Sequence, residues 1–349
     1  MKAWREDGQA SPDRQDGDRT STLAELAASG IDLDPVGPGE HRHDGPGAVS
    51  HTHPHHVSAP DEHPSIGIVG AGAVGTALGV ALSRAGWPVV AVASRDPDRR
   101  ARFKGLVPGV RAFSEANALL DEVELVILAV PDDALPGLAG SLRLYSGQAM
   151  VHTSGLLGAA VLEPAMAAGT QVGAFHPLVA FADTERAVAA LHGATIAVEG
   201  DEQLMGLLAE MAEALGGIPV RLGPGAKAAY HAAAVLAAGG VVAILDAIVT
   251  LGAVAGLDEA GALSVYLPLV RQTLANAEAL GVRDALTGPF TRGDVGTLDA
   301  HLAELRARAP GVLDLYLAAA RRELALAEAR GSLRPEAAQR MRASLANMG

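Results

Sequence analysis

From Ser65 to Gly79 the chain reads Ser-Ile-Gly-Ile-Val-Gly-Ala-Gly-Ala-Val-Gly-Thr-Ala-Leu-Gly, and the spacing of its glycines implies a chemistry. Ile66, Ile68 and Val69 are a short β-branched apolar run, the pattern of a buried strand. Gly70-x-Gly72-x-x-Gly75 follows at once. The first glycine permits a tight turn, the second lets backbone approach a pyrophosphate, and the third lets a helix pack close to the strand. That helix, expected from Ala73 to Ala85, presents N–H groups and the positive end of its dipole to phosphates. Gly70, Ala71, Gly72, Ala73, Val74 and Gly75 are therefore read as a dinucleotide cradle. The next strand, Pro88 to Ala93, runs into Ser94-Arg95-Asp96-Pro97. NAD enzymes place an acidic residue at about this point, some ~20 positions on, to hold the ribose 2′-OH. Here a hydroxyl and a guanidinium stand instead, which suits a 2′-phosphate, so the expected cofactor is NADP (NADPH). Ser94 or Asp96 equally suits a helix cap.

Other chemistry-bearing residues fall at strand ends, where ligands bind in an open parallel sheet. Leu125 to Val130 ends at Pro131-Asp132-Asp133, which puts Ala129, Val130 and Pro131 beside the cofactor. Ala149 to His152 ends at Thr153-Ser154-Gly155, and Val172 to Phe175 delivers His176-Pro177-Leu178. Ser154 and His176 are candidates for substrate binding; the alternative for Ser154 is a Ser-Gly turn. No nucleophile elbow is present, so acyl transfer is not indicated. Lys227 and His231 are four apart and share one helical face, where either can donate a proton. The alternatives are a solvated first-turn lysine and a core histidine bonded to a carbonyl. Farther on, Arg292 can clamp a substrate carboxylate or pair with Asp294, and Asn276 can complete a polar lining.

These residues need a scaffold, and composition bounds it. The 349 residues are 49% apolar and 19% charged, enough for two domains with a sizeable core. A net charge of −13 leaves no basic stripe for nucleic acid. The absence of cysteine excludes disulfides and thiolate metal sites. Residues 1–62 are rich in Asp, Gly, Pro, Ser and His without apolar periodicity, so they are expected to be disordered, with Thr22 to Ser29 the only short helical stretch. His51-x-His53-x-His55-His56 offers transient metal ligands there, against the simpler reading of a solvated tail; no metal site is expected. Residues 63–224 carry the strands and are read as an α/β Rossmann-type domain. Thr195 to Val198 and Ile218 to Leu222 are its last strands, with a helix from Asp201 to Leu215 between them. Residues 225–349 show only helical patterns. Their first helix, Lys227 to about Leu251, is long and apolar enough to invite a transmembrane reading. Lys227, His231 and Asp246 interrupt it and no positive flank follows, so a buried core helix is expected.

Residues 65 to about 330 resemble the bacterial reductase-like family that joins a Rossmann-like domain to a helical domain of unknown function 2520 (DUF2520). The matching stretches are Gly70 to Gly75, His152-Thr153-Ser154-Gly155, His176-Pro177-Leu178, Tyr230-His231-Ala232-Ala233-Ala234, Asn276 and Thr287-Gly288-Pro289-Phe290-Thr291-Arg292-Gly293-Asp294. The resemblance implies an all-α C-terminal domain like that of 6-phosphogluconate and β-hydroxyacid dehydrogenases, and a homodimer formed through it. Lys227 resembles the catalytic lysine that opens the substrate domain of β-hydroxyacid dehydrogenases. The chain departs from the family at Ala237-Ala238-Gly239-Gly240, where an Asn usually follows the histidine motif. The activity implied is that of a cytoplasmic NADPH-dependent oxidoreductase of the CH-OH class. It would reduce a small carboxylate-bearing 2-oxo acid, ketopantoate first, without nucleic-acid or membrane partners. An NADP-binding sensor or scaffold without turnover is the competing expectation.

Overall fold

The computed structural model describes residues 63–166 and 169–347 in full and, upstream, the backbone of Leu33–Asp34. The expectations for the His-rich tail, including its helix at Thr22 to Ser29 and its metal ligands at His51 to His56, lie outside the described residues. The chain divides into two compact units, one through Ala234 and one from Val235 onward.

The first unit is built on a nine-stranded sheet. Its strands are β1 (Leu33–Asp34), β2 (Ile66–Val69), β3 (Val89–Ala93), β4 (Arg111–Phe113), β5 (Leu125–Leu128), β6 (Ala149–His152), β7 (Gln171–Pro177), β8 (Thr195–Glu199) and β9 (Ile218–Leu222), in the spatial order β1-β9-β8-β7-β6-β5-β2-β3-β4. The strands from β4 to β7 pair in parallel, which requires crossovers, and helices Ala73–Arg84 (α1) and Pro97–Leu106 (α2) are two of these. From β2 the chain goes first to β3 on one side and later to β5 on the other. A crevice at the carboxyl ends follows from that reversal of direction.

The sheet is not parallel throughout. β8 runs antiparallel to β7, because the segment between them leaves and re-enters at the same end, with the Leu178 amide donating to Thr195 O at 2.8 Å. β1 also runs antiparallel to β9. Pairing sets Val69, Leu128, His152, Ala174 and Glu199 side by side in one row across the sheet. Directly paired residues share a face, so this row fixes which side chains meet at the carboxyl edge.

Alternation along each strand gives the sheet two covered faces. Ile66, Ile68, Ile127, Val151 and Phe175 pack with Leu78, Leu82 and Phe103 on one side. Val69, Val126, Leu128 and Met150 pack with Leu119, Leu120, Leu135 and Leu162 on the other. Gly79 is what lets α1 close on this core: a Cβ there would lie 2.4 Å from the Phe103 ring.

The second unit is helical, as the sequence pattern indicates. A helical run from Lys227 begins within the first unit as Lys227–Val235 (α3), passes through a π-helical turn at Leu236–Gly240 and continues as Val241–Val254 (α4). Glu259–Leu280 (α5) packs along α4, with Gly252 against Ala262. Val295–Arg308, Leu313–Arg330 and Pro335–Ala346 enclose a separate core around Leu298, Leu324 and Met341. One expectation is overturned. The apolar helix is not buried within the chain: its most apolar window is 0% buried, and Leu236, Val242 and Ile244 are exposed. The reason is that α5 covers only one side of it.

Phe103 is fully buried beneath Gly79. Phe103→Ala is expected to leave a cavity and destabilise the first unit by about 3–5 kcal/mol, seen as a drop in its unfolding midpoint.

Candidate active site

The crevice beside β2 is a cleft of about 750 Å³. Its wall is the glycine turn. Gly70 has a φ of +106° and sits so close to β5 that a Cβ would lie 2.2 Å from the Ala129 carbonyl oxygen. A Cβ on Gly75 would lie 2.0 Å from the Gly70 oxygen. Any side chain at either place would force the turn open. The turn is tied down by Gly70 N donating to Ala93 O and Ala129 N donating to Val69 O, both at 2.8 Å. Gly70 to Val74, Ser94, Arg95 and Ala129 to Pro131 all line the cleft, with Gly75 packed behind them. Bare backbone at the start of α1 and two cations lining the same cleft fit a dinucleotide.

One of those cations was not read from the sequence. Arg99, on the first turn of α2, lines the cleft with Arg95, and its Nη1 lies 4.0 Å from where a Gly72 Cβ would be. Its Nε is held 3.3 Å from Asp96 Oδ2. Asp96 is also the N-cap of α2, accepting from the Asp98 and Arg99 amides at 2.9 and 3.1 Å. The bond from Arg99 N, with that from Asp98 N, holds its carboxyl below the usual range. The cap reading and the phosphate reading are therefore compatible, since the cap uses Asp96 and leaves Arg95 facing the cleft. The available signal was a basic residue in the first turn after a cap.

Thr153 lines the same cleft, and the segment after it leads to a second cluster. His152 is wholly buried. Its Nδ1 accepts from Ser154 N at 3.1 Å, so the ring proton is on Nε2, which donates to Gly158 O at 3.1 Å. Burial, with the Lys227 ammonium nearby, pushes this histidine down to about 4. Ser154 is equally engaged: Oγ donates to Asp132 Oδ2 at 2.8 Å and accepts from Leu156 N and Leu157 N at 3.1 and 2.9 Å. Lys227 Nζ donates to Leu157 O and sits 3.3 Å from Glu199 Oε2, while Ala159 N donates to Glu199 Oε1 at 3.0 Å. Burial lowers the Lys227 pKa, opposed by Glu199. Lys227 and Glu199 also border a second cavity of about 710 Å³ over Ala174, Ala197 and Met205.

Three polar atoms here have no partner among the described residues. His176 Nδ1, Tyr230 Oη and His231 Nδ1 are buried and unbonded. The rings converge: His176 is edge-on to Tyr230 and to His231, each at 5.7 Å between centroids. Gly155 closes the cluster, since a Cβ there would lie 2.3 Å from His231 Nδ1 and 2.6 Å from His176 Nε2. Burial, then His231 and Lys227, pushes His176 down to about 4, and burial pushes Tyr230 up to about 12. At neutral pH His176 and Tyr230 are uncharged, and all three groups are undersatisfied, as groups that meet a ligand are. Asn276 is half-buried on α5 and Arg292 is exposed at the end of the short helix Pro289–Arg292, both in the second unit. Asp294 caps the following helix by accepting from Thr297 N and Oγ1 at 3.2 and 2.7 Å. Among the described residues no group of three or more His, Cys, Asp or Glu side chains is arranged to hold a metal.

A largely parallel sheet with a close-packed glycine turn between strand and helix at the point where strand order reverses is a Rossmann-type domain. Comparison agrees: residues 52–177 match the model of the Rossmann-like domain and residues 194–323 that of the domain of unknown function DUF2520. The two models together match more than half of the chain, which belongs to the family that joins these two domains. A search of proteins with curated function finds no match. Among solved structures, a Bacteroides fragilis protein named as an NADP oxidoreductase is 24% identical with a TM-score of 0.64, covering 75% of this chain and 98% of its own. A Thermotoga maritima protein is 25% identical with a TM-score of 0.57, covering 76% and 99%. 1-Pyrroline-5-carboxylate reductase from Streptococcus pyogenes shares the fold at 16% identity and a TM-score of 0.54, covering 76% and 99%.

His152 and His176 titrate at about 4 when folded and near 6.5 when unfolded. A depressed folded pKa means that the unfolded chain binds more protons in between, so the stability present above 6.5 is lost as pH falls. The melting temperature is expected to decline from pH 6.5 toward about 5, above most carboxylate titration, and more shallowly in His176→Phe.

Proposed function

We propose that the chain is an NADPH-dependent reductase of a small compound carrying a C=O or C=N bond. The observation that carries this reading is the juxtaposition in one unit of a glycine-walled cleft, which Arg95 and Arg99 also line, and an unsatisfied polar cluster reached through Thr153 to Gly155. When bound, the reduced nicotinamide supplies the hydride. The chain's own residues hold the cofactor, exclude water and provide the proton. Gly70 to Val74 bind the pyrophosphate through backbone N–H groups, and Arg95 with Arg99 pairs with the 2′-phosphate. Lys227, read from the sequence as a proton donor, is committed to Glu199 and Leu157 and so anchors its helix. His231, His176 and Tyr230 are left to meet the substrate.

The electrophile is less narrowly defined. The Bacteroides protein is named for NADP and the Streptococcus one for a cyclic imine bearing a carboxylate, so both C=N and C=O acids are candidates. Ketopantoate has no support among these relatives. The competing reading is a cofactor sensor without turnover, which gives no role to three buried unbonded polar atoms.

We also propose that two copies associate through the second unit. Leu236 is 72% and Leu269 60% exposed, and Val242, Val265 and Leu274 add to an apolar surface too extensive for a monomer in water.

NADPH is expected to bind tighter than NADH by roughly ten- to a hundredfold, since one charge-assisted bond contributes about 1.5–3 kcal/mol. Arg95→Ala and Arg99→Ala should each shrink that preference in fluorescence titrations. A panel of 2-oxo acids, with and without ammonia, and of cyclic imine acids, followed by NADPH absorbance, tests turnover. No oxidation with any member, alongside tight NADPH binding, would establish the sensor instead. In detergent-free buffer, light scattering should give the mass of a dimer and Leu269→Glu that of a monomer; a monomeric wild type would remove the dimer.

A further inference from the structure

We propose that Tyr230 is the residue that gives its hydroxyl proton to the heteroatom of the substrate. The inference rests on the reductase reading above and deepens it. It follows from asking which polar groups of the site are free. His152 uses both ring nitrogens on backbone partners. Ser154 Oγ makes three bonds, and Thr153 Oγ1 lies 3.4 Å from Leu128 O. The Lys227 ammonium is held between Glu199 and Leu157 O. Asp132 is already engaged, accepting from Ser154 Oγ. What is left is His176, His231 and Tyr230, each with a buried atom lacking any partner among the described residues.

Of these three, the hydroxyl is the one donor whose proton location is not in question. Held at about 12 by burial, it carries its proton throughout the neutral range. His176, held near 4, is a neutral ring there and not a cationic acid. His176 lies edge-on against both Tyr230 and His231, so its ring stands between the phenol and the second imidazole. The two imidazoles can take up the hydrogen-bonding left open as charge moves.

The step balances as follows. Hydride arrives at the carbon of C=X, and the π pair moves onto X. The O–H bond of Tyr230 breaks as the X–H bond forms, NADPH leaves as NADP⁺, and the phenolate regains a proton from water. A product alkoxide, or the deprotonated amine formed from C=N, is far more basic than a phenolate, so the transfer runs downhill.

A hydroxyl buried without a partner costs stability that an apolar group of the same shape would not. This separates a functional role from a structural one. Tyr230→Phe is therefore expected to melt at the same or a higher temperature than wild type without ligands. It should bind NADPH unchanged and lose turnover by about 10²–10⁴-fold on whichever panel compound the wild type reduces. A melting temperature several degrees lower would show that the hydroxyl is structural, and turnover within a few-fold of wild type would show that another group donates; either overturns the assignment. The reductase reading fails separately, and takes this assignment with it, if the wild type oxidises NADPH with no compound of the panel.

Discussion

Glu199 stands at the end of β8 and its two carboxylate oxygens reach different parts of the chain, one the amide of Ala159 and the other the ammonium of Lys227. The same ammonium donates to Leu157 O. Together with the bond from Ser154 Oγ to Asp132, this pins the segment from Ser154 to Ala159 at both ends and fastens the first turn of α3 to it. Gly155, His231 and His176 are close because of that clamp. Glu199 is 44% exposed at its side chain, so water screens the pair and its contribution is geometric more than energetic. Without it, the helix that bears Tyr230 and His231 would have no polar tether to the loop that bears Gly155.

The clamp depends in turn on a departure from parallel order. In an all-parallel sheet the residue beside Ala174 would come from a strand running the same way, and its carboxyl end would project with the others. Reversal of β8 brings the last residue of that strand back to the level of His152 and Ala174. A carboxylate thereby enters the row whose other members, Val69 and Leu128, lead directly into the cofactor turn and its β5 neighbour. Binding cleft and polar cluster are two ends of one register.

How much of this could be read from the sequence depended on range. The glycine turn was legible because its requirements are local, a positive φ at Gly70 and closeness at Gly75. The strands were legible from runs such as Leu-Val-Ile-Leu, whose pattern is period and branching alone. Pairing direction was not, because β8 reads as the same kind of run whether it lies parallel or antiparallel. Nor were Asp132 and Glu199 visible as partners, being 22 and 40 residues from the groups they hold. Lys227 and His231 were seen as a helical pair, yet which of them is tied up is decided by Leu157, 70 residues away. Tyr230 sat in plain view beside His231; only burial reveals that its hydroxyl is unbonded. The apolar run after it misled, since hydropathy records that a surface needs cover without saying whose surface covers it.

The engagement of both nitrogens of His152 gives the site a built-in reporter. With Nδ1 occupied by an amide proton and Nε2–H donated to Gly158 O in a wholly buried ring, the imidazole proton has no direct route to solvent. Its exchange therefore reports local opening of the loop from Ser154 to Ala159, distinct from global unfolding. Rings of this kind keep their N–H long enough to be observed as a resolved proton resonance. The opening of that loop is therefore written in a single signal, at a ring bonded only to backbone.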